Sequence, residues 1–267
     1  MKRNLIAILF FLVSLMATSC SKSIFSNGAP VTESRSVEGN FTSICMYNNV
    51  NVKLVHSDYP HLELTCPENL IEKIVTKLSA TGDTLIIKNE NPFNWLRSFE
   101  YSIDLTVYYT NLHEINYAAI GDLSCTDPLT GSPYTFLDTI INGNDTIITP
   151  ESVDRAFFLN INEGSGDINL TLDCDVLKNK FGNGTSNITL KGTTGYSEHI
   201  TQSYGRIDAL ELNSNLVQVE SSSTNDVYVW AQSQLEVQLF SIGNIYYKGD
   251  PAITIQACTS DGRLIPL

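Results

Sequence analysis

From Phe157 to the end of the chain, apolar and polar residues alternate in short runs, and each run opens on a turn built from Gly, Ser, Asn or Asp. The runs read Gly164-Ser165-Gly166-Asp167-Ile168-Asn169-Leu170, Ser186-Asn187-Ile188-Thr189-Leu190, Tyr204-Gly205-Arg206-Ile207 and Thr224-Asn225-Asp226-Val227-Tyr228-Val229. Ile242-Gly243-Asn244-Ile245-Tyr246-Tyr247 and Asp261-Gly262-Arg263-Leu264 complete the series. The apolar residue after each turn falls at 168, 188, 207, 227, 245 and 264. Alternation with period two predicts strands with one buried face. Recurrence about every 19 residues is a solenoid signature, because one such unit cannot bury its apolar face alone and must stack on its neighbours. The predicted core positions are Ile168, Leu170, Leu172, Ile188, Leu190, Val217, Val219, Val227, Val229, Leu235, Val237, Leu239, Ile253 and Ile255.

The region from Gly39 to Cys125 carries longer runs. Strands are predicted over Phe41–Met46, Val50–Leu54, Leu62–Leu64, Thr84–Ile87 and Ile103–Val107. Apolar residues at 70, 71, 74 and 75, continued by Leu78, follow helical spacing, so one short helix is predicted across Glu68–Val75. Pro128, Gly131, Pro133, Gly143 and Pro150 break the rhythm between Thr126 and Ser152, which reads as an inserted loop or hairpin. The expected fold is all-β: a β-helix-like solenoid of stacked rungs with an N-terminal β region and one short helix.

The amino terminus adds a compartment. Lys2 and Arg3 precede an apolar run from Leu5 to Met16, too short for a membrane span of roughly 20 residues, and Ala17, Thr18 and Ser19 lead to Cys20. This order is that of a lipoprotein signal peptide, with Cys20 as the lipid-bearing first mature residue and Ala17 where such signals usually carry Leu. The domain reading is a signal peptide over 1–19, a tether over 20–34, an N-terminal β region over 35–125, an inserted loop over 126–152 and a C-terminal β-solenoid region over 153–267. The expected location is the outer membrane by lipid anchor. Lipoproteins exported to the surface resemble one another in an acidic cluster after the Cys, and Ser21-Lys22-Ser23 has none, so both sides of that membrane stay open.

A net charge of −13 argues against nucleic acid and anionic lipid surfaces, which need clustered Lys and Arg, so membrane contact is expected through the lipid anchor only. Cys45, Cys66, Cys125, Cys174 and Cys258 are odd in number and show no C-x-x-C spacing, so buried single thiols are expected.

The frame Arg35-Ser36-Val37-Glu38-Gly39-Asn40-Phe41, the Asn49-Val50-Asn51-Val52 and Leu85-Ile86-Ile87 strands, Gly121-Asp122 and Gly164-Ser165-Gly166-Asp167-Ile168 together resemble the head GIN domain family of autotransporter adhesins. The closing Ile245-Tyr246-Tyr247-Lys248-Gly249-Asp250-Pro251 carries the most specific element, Tyr-x-Gly-x-Pro. The resemblance spans nearly all of Arg35–Leu267. It implies a secreted or lipid-anchored β-helical protein of a Gram-negative envelope and favours binding. The chain departs from the pattern in the longer turn at Asn183–Ser186, the glycine-free turn at Ser223–Asn225 and the insertion over Thr126–Ser152.

Catalytic constellations are sparse. His56, His61, His113 and His199 match no metal-ligand spacing and are expected on surface turns. Asp167, Asp226 and Asp261 recur on turns, but the calcium-binding nonapeptide repeat needs its Asp every nine residues, so they are expected to stabilise their own turns. Arg206, Asp208 and Lys191 are the only candidates for a polysaccharide lyase cluster. No metal, cofactor or enzymatic activity is expected. Tyr228, Trp230 and Tyr246 alternate with inward residues, so their rings should point outward, where they could stack on sugars or a protein. Tyr101, Tyr108, Tyr109 and Tyr117 could form a second patch. Asp83-Thr84-Leu85, Asp138-Thr139-Ile140 and Asp145-Thr146-Ile147 resemble an O-glycosylation sequon of some Gram-negative envelopes, which makes Thr84, Thr139 and Thr146 candidates.

The sequence therefore reads as a lipid-anchored envelope protein with a passive, adhesin-like binding role, its partner a glycan or an envelope or host protein. A periplasmic structural or sensing component that binds another envelope protein is the alternative. A polysaccharide-active β-helix enzyme is a third reading, disfavoured because shape alone carries no activity.

Overall fold

Alternation at period two sets one face of each run against a core and the other against water, and the chain forms strands almost throughout. The computed structural model describes residues 28–92, 101–142 and 145–267, with the backbone alone over 137–142 and 145–150. The predicted signal peptide, Cys20 and the start of the predicted tether fall outside the described residues. The first strands are β1 (Pro30–Ser36), β2 (Ser43–Asn48), β3 (Asn51–His56), β4 (His61–Pro67), β5 (Ile74–Leu78) and β6 (Thr84–Asn89). They are followed by β7 (Asp104–Tyr109), β8 (Glu114–Ala119), β9 (Leu123–Cys125), β10 (Ser132–Asn142), β11 (Asp145–Gly164) and β12 (Ile168–Phe181). Next come β13 (Ile188–Thr201), β14 (Ile207–Ser221), β15 (Val227–Leu239), β16 (Ile245–Lys248), β17 (Ala252–Cys258) and β18 (Leu264–Pro266). Among the described residues these strands make one curled sheet.

Pairing runs along two parallel ladders. In the first, β6, β2, β8 and β11 lie side by side, and the later halves of β12, β13, β14 and β15 continue to β17. In the second, β7, β3 and β9 are followed by the first halves of β12 to β15, then by β16 and β18. Antiparallel strands close the amino-terminal end, β4 and β1 on the second ladder and β5 on the first. The apolar residue that opens each run pairs with its counterpart in the next: Ile168 with Ile188, Ile188 with Ile207, Ile207 with Val227, Val227 with Ile245 and Ile245 with Leu264. Apolar side chains of both ladders meet in one core cluster.

Turns lie where strands of adjacent layers approach most closely, which explains their glycines. A Cβ on Gly166 would sit 2.5 Å from the Tyr117 Oη and closer still to the Gly121 carbonyl oxygen. Tyr117 is fully buried, donates to that same carbonyl at 2.8 Å, and burial pushes its phenol up to about 12.

Three expectations change, and a fourth is made specific. The helix predicted over Glu68–Val75 is a single 3-10 turn, Ile71–Lys73, that runs straight into β5. Leu70 and Ile74 are both buried, which accounts for the helical spacing, but the Ile71 and Ile74 carbonyls accept from the Arg35 guanidinium at 3.0 and 2.6 Å. The β-branched Ile74, Val75 and Thr76 then pair with β6. Ile253 and Ile255, expected in the core, are 43% and 56% exposed because β17 is the last described strand of its ladder. The other predicted core residues are buried. Residues 30–34, expected in the tether, belong to β1, which pairs with β4 along its whole length. The irregular segment over 126–152 forms most of a β10–β11 hairpin, and β11 runs on from it into the first ladder.

Candidate functional site

The later halves of β12, β13 and β14 place alternate residues on the core side and the solvent side. Leu177, Asn179 and Phe181, then Ser197, His199 and Thr201, then Val217, Val219 and Ser221 are buried. The residues between them face outward and line up in register: Val176 with Tyr196 and Leu216, and Lys178 with Glu198 and Gln218. The β10–β11 hairpin flanks this face. Its Tyr134 and Phe136 gather against Phe158 of β11, with ring centroids 4.8 Å apart for Tyr134 and Phe158 and 6.1 Å for Phe136 and Phe158.

Between hairpin and sheet lies an open groove of about 490 Å³, walled by Phe136, Glu151 and Val153 on the hairpin side and by Val176, Lys178, Tyr196 and Leu216 on the sheet side. Lys178 is its central charge. The ammonium sits 5.5 Å from the Phe136 ring centre, 5.4 Å from that of Tyr196 and 2.9 Å from Glu198 Oε1. Tyr196 donates to Gln218 Oε1 at 2.7 Å, and burial, then the Glu198 carboxylate, raises its phenol, so the hydroxyl stays a neutral donor. Beyond the groove the same face continues as a ladder of amides and carboxylates. Gln256 donates to Glu236 at 2.9 Å, Gln234 to Glu236 at 2.7 Å and Gln238 to Gln256 at 2.9 Å. Aromatic faces, apolar methyls and planar hydrogen-bonding groups on one open surface suit ligand contact.

The aromatics singled out in the sequence do point outward, but each ring already carries a neighbour from an adjacent strand or turn. Tyr228 stacks on Tyr246 with centroids 4.7 Å apart and planes within 8°, while the Arg206 guanidinium, from the turn that opens β14, lies 4.2 Å from the Tyr228 ring centre. Lys248 lies 3.8 Å over the Trp230 ring. These rings bind neighbouring strands to one another. The second proposed patch is split: Tyr109 and Tyr117 are buried, whereas Tyr108 stacks on His61 with centroids 3.9 Å apart and Tyr101 packs at the core margin.

No lyase cluster assembles from the named candidates, since Arg206 pairs with Asp208 at 2.8 Å and Lys191 with Glu211 at 3.0 Å. Asp122, Asp167, Asp226 and Asn244 accept hydrogen bonds from the next layer of the sheet, whereas Asp83 accepts from Ser79, Thr81 and Thr84 of its own turn. Asp122 accepts from the Asp167 amide at 2.9 Å, Asp226 from the Asn244 amide at 2.8 Å, and Asn244 from the Arg263 amide at 3.0 Å. Among the described residues no group of three or more His, Cys, Asp or Glu side chains could hold a metal ion. His199, expected on a surface turn, is instead fully buried, because β13 runs through that position and turns it toward the core. Cys66 and Cys174 are buried thiols, Cys45 and Cys125 half-buried, and Cys258 exposed at the end of β17.

Thr84 opens β6 and its hydroxyl donates to Asp83 at 2.9 Å. Thr139 pairs with Ile148 and Thr146 with Ile141 near the hairpin tip, and their side chains lie outside the described residues. Sequence reading missed Phe136, Lys178 and Tyr196. The available signal was the pair of aromatics, Tyr134 and Phe136, inside an otherwise turn-rich segment.

The family model described as "Putative auto-transporter adhesin, head GIN domain" matches residues 40–251. Among solved structures, a "putative adhesin" from Bacteroides fragilis is 18% identical with a TM-score of 0.72, covering 90% of this chain and 97% of that one. A "putative lipid binding protein" from Parabacteroides distasonis is 18% identical with a TM-score of 0.64, covering 90% and 98%. A "putative adhesin" from Parabacteroides merdae is 15% identical with a TM-score of 0.58, covering 91% and 98%. At these identities the likeness is one of fold. A search among curated proteins found no match.

Proposed function

The chain belongs to the head GIN domain family, and from that premise we propose that it is a lipid-anchored envelope protein that binds rather than catalyses. Its strands are read as rungs of a β-solenoid with a repeat of about 19 residues, supported by the parallel register of successive runs. Cys20 carries the lipid at the outer membrane, Thr84, Thr139 and Thr146 are candidate O-glycosylation sites, and the role is adhesin-like. The observation that carries the reading is the groove beside the β10–β11 hairpin, where Phe136 and Tyr196 bracket Lys178 with Glu151 and Glu198 alongside. Rings and planar polar groups side by side are the chemistry that holds a sugar ring, so the ligand is a glycan.

A glycan array, followed by titration of the strongest binders, tests this. Tyr196→Ala and Lys178→Ala are expected to weaken binding at least tenfold, while Tyr228→Ala lowers thermal stability and leaves binding intact. A chain that binds no glycan, or binds one equally well without Tyr196, overturns the reading. Protease shaving of intact cells reads the side of the membrane: cleavage with a periplasmic control intact supports surface display. Protection until the membrane is broken ends the adhesin role in favour of a periplasmic partner. The apolar wall of Val153, Val176 and Leu216, with the name given to the P. distasonis relative, favours a second reading, an acyl chain in the same groove. Retention of a fluorescent fatty acid that Leu216→Glu abolishes would select it.

A further inference from the structure

The two ends of the sheet are finished differently. At the amino-terminal end antiparallel strands cover both ladders, and the outermost, β1, opens on Pro30 and carries Glu33 and Arg35. At the carboxyl end β18 is flanked by Arg263 and contains Pro266. Its neighbour in the chain, β17, has β15 on one side and no strand on the other among the described residues. It reads Ala-Ile-Thr-Ile-Gln-Ala-Cys, without a charge, a proline or a glycine. Natural proteins blunt exposed edges with charges, prolines or bulges. The single bulge here lies beyond Ile255 and leaves Ala252–Ile255 straight. Ile253 and Ile255 are in register with the buried Leu235 and Val237 and therefore face the core side, yet both are exposed. Phe240, Ile242 and Leu267, all near the carboxyl end of the chain, are also exposed.

We propose that β17 pairs antiparallel with β17 of a second copy of this chain about a two-fold axis at Thr254. The sequence is self-complementary in that register. Thr254 faces its own copy, Ile253 faces Ile255 of the second copy, and Ala252 faces Gln256, so apolar meets apolar on the core side and the core runs on from one chain into the next. Charge selects the same face. With a net charge of −13 most surfaces of two copies repel each other, whereas this strand carries none. Growth stops at two, because the edge is used up by the two-fold and the opposite end is covered.

The full-length chain in mild detergent, studied by sedimentation velocity, tests the proposal. The unmodified chain is expected to sediment as a dimer. Thr254→Lys and Thr254→Glu, each on the exposed side of β17, set like charges opposite one another, so each variant alone dissociates at least tenfold more readily. An equimolar mixture of the two recovers the dimer, which a folding defect would not allow. Thr254→Cys in a Cys258→Ser background should form a reducible cross-link between copies through residue 254. A monomer at every concentration reached, a dimer indifferent to both charges, or a mixture that stays monomeric overturns the proposal.

Discussion

His199 makes the stability of this chain depend on acidity between pH 6.5 and about 4. It sits on β13 with its neighbours in register, Asn179 and Val219, also buried. Its Nδ1 lies 3.3 Å from Asn179 Nδ2, which can only donate, so Nδ1 accepts and the proton sits on Nε2. Neither that Nε2 nor Asn179 Oδ1 has a hydrogen-bond partner among the described residues. Burial alone lowers the imidazole from 6.5 to about 4.

The sign follows from which state protonates first. As pH falls, the unfolded chain takes up the proton from about 6.5 and the folded chain only near 4, so stability present above 6.5 is lost between those values and the loss then levels off. A gap of about two and a half pH units at about 1.4 kcal/mol each gives ~3 kcal/mol in full and ~2 kcal/mol by pH 5. Urea unfolding of the native chain and of an Asn179→Val/His199→Leu variant at pH 7 and pH 5 measures it. The apolar pair removes two unpaired buried groups, so the variant should match or exceed the native chain at pH 7. At pH 5 its advantage should widen by ~2 kcal/mol. Equal losses in both chains would refute the argument, since His199 would then titrate as it does in water.

Three further substitutions probe the frame. Gly166→Ala places a methyl against the Tyr117 hydroxyl and the Gly121 carbonyl, and should lower stability by about 1–3 kcal/mol in thermal melts. Gly82→Ala, with φ of +80° but open space around it, is the control and should cost about 1 kcal/mol from backbone strain alone. Arg35 donates to Ile71 O, Ile74 O, Thr76 Oγ1 and Glu33 with one planar fork. Arg35→Lys keeps the charge but cannot span those acceptors, so it should cost about 1–3 kcal/mol and speed amide exchange in β5 ahead of β13.

Alternation made most of the sheet legible, because a strand between two neighbours has no choice about which face it buries. Ile168, Ile188, Ile207 and Val227 sit where their spacing placed them. The same rule misled at β17, where the pattern is intact but no further layer covers Ile253 and Ile255. It misled at Glu68–Val75 too, where buried Leu70 and Ile74 on either side of a single turn with no buried residue of its own mimic helical spacing and an arginine 36 residues earlier in the chain takes the carbonyl that a helix would have used.

Polar positions inside the alternation were legible only in part. Asn179 and His199 occupy core positions in two successive runs, so the period alone puts them inside, against their chemistry. The candidate groove was hidden for a different reason. Phe136 comes from a segment whose prolines and glycines read as a loop, while Lys178 and Tyr196 occupy ordinary outward positions of β12 and β13. Only the fold-back of the β10–β11 hairpin brings the three together. Outward aromatics that the sequence does announce, such as Tyr228, have partners one strand away in register, and a parallel stack delivers those partners automatically. In a sheet of this kind, a ring in the repeating pattern is expected to be used up by its own neighbours, and ligand contact falls to residues where an insertion interrupts the stack.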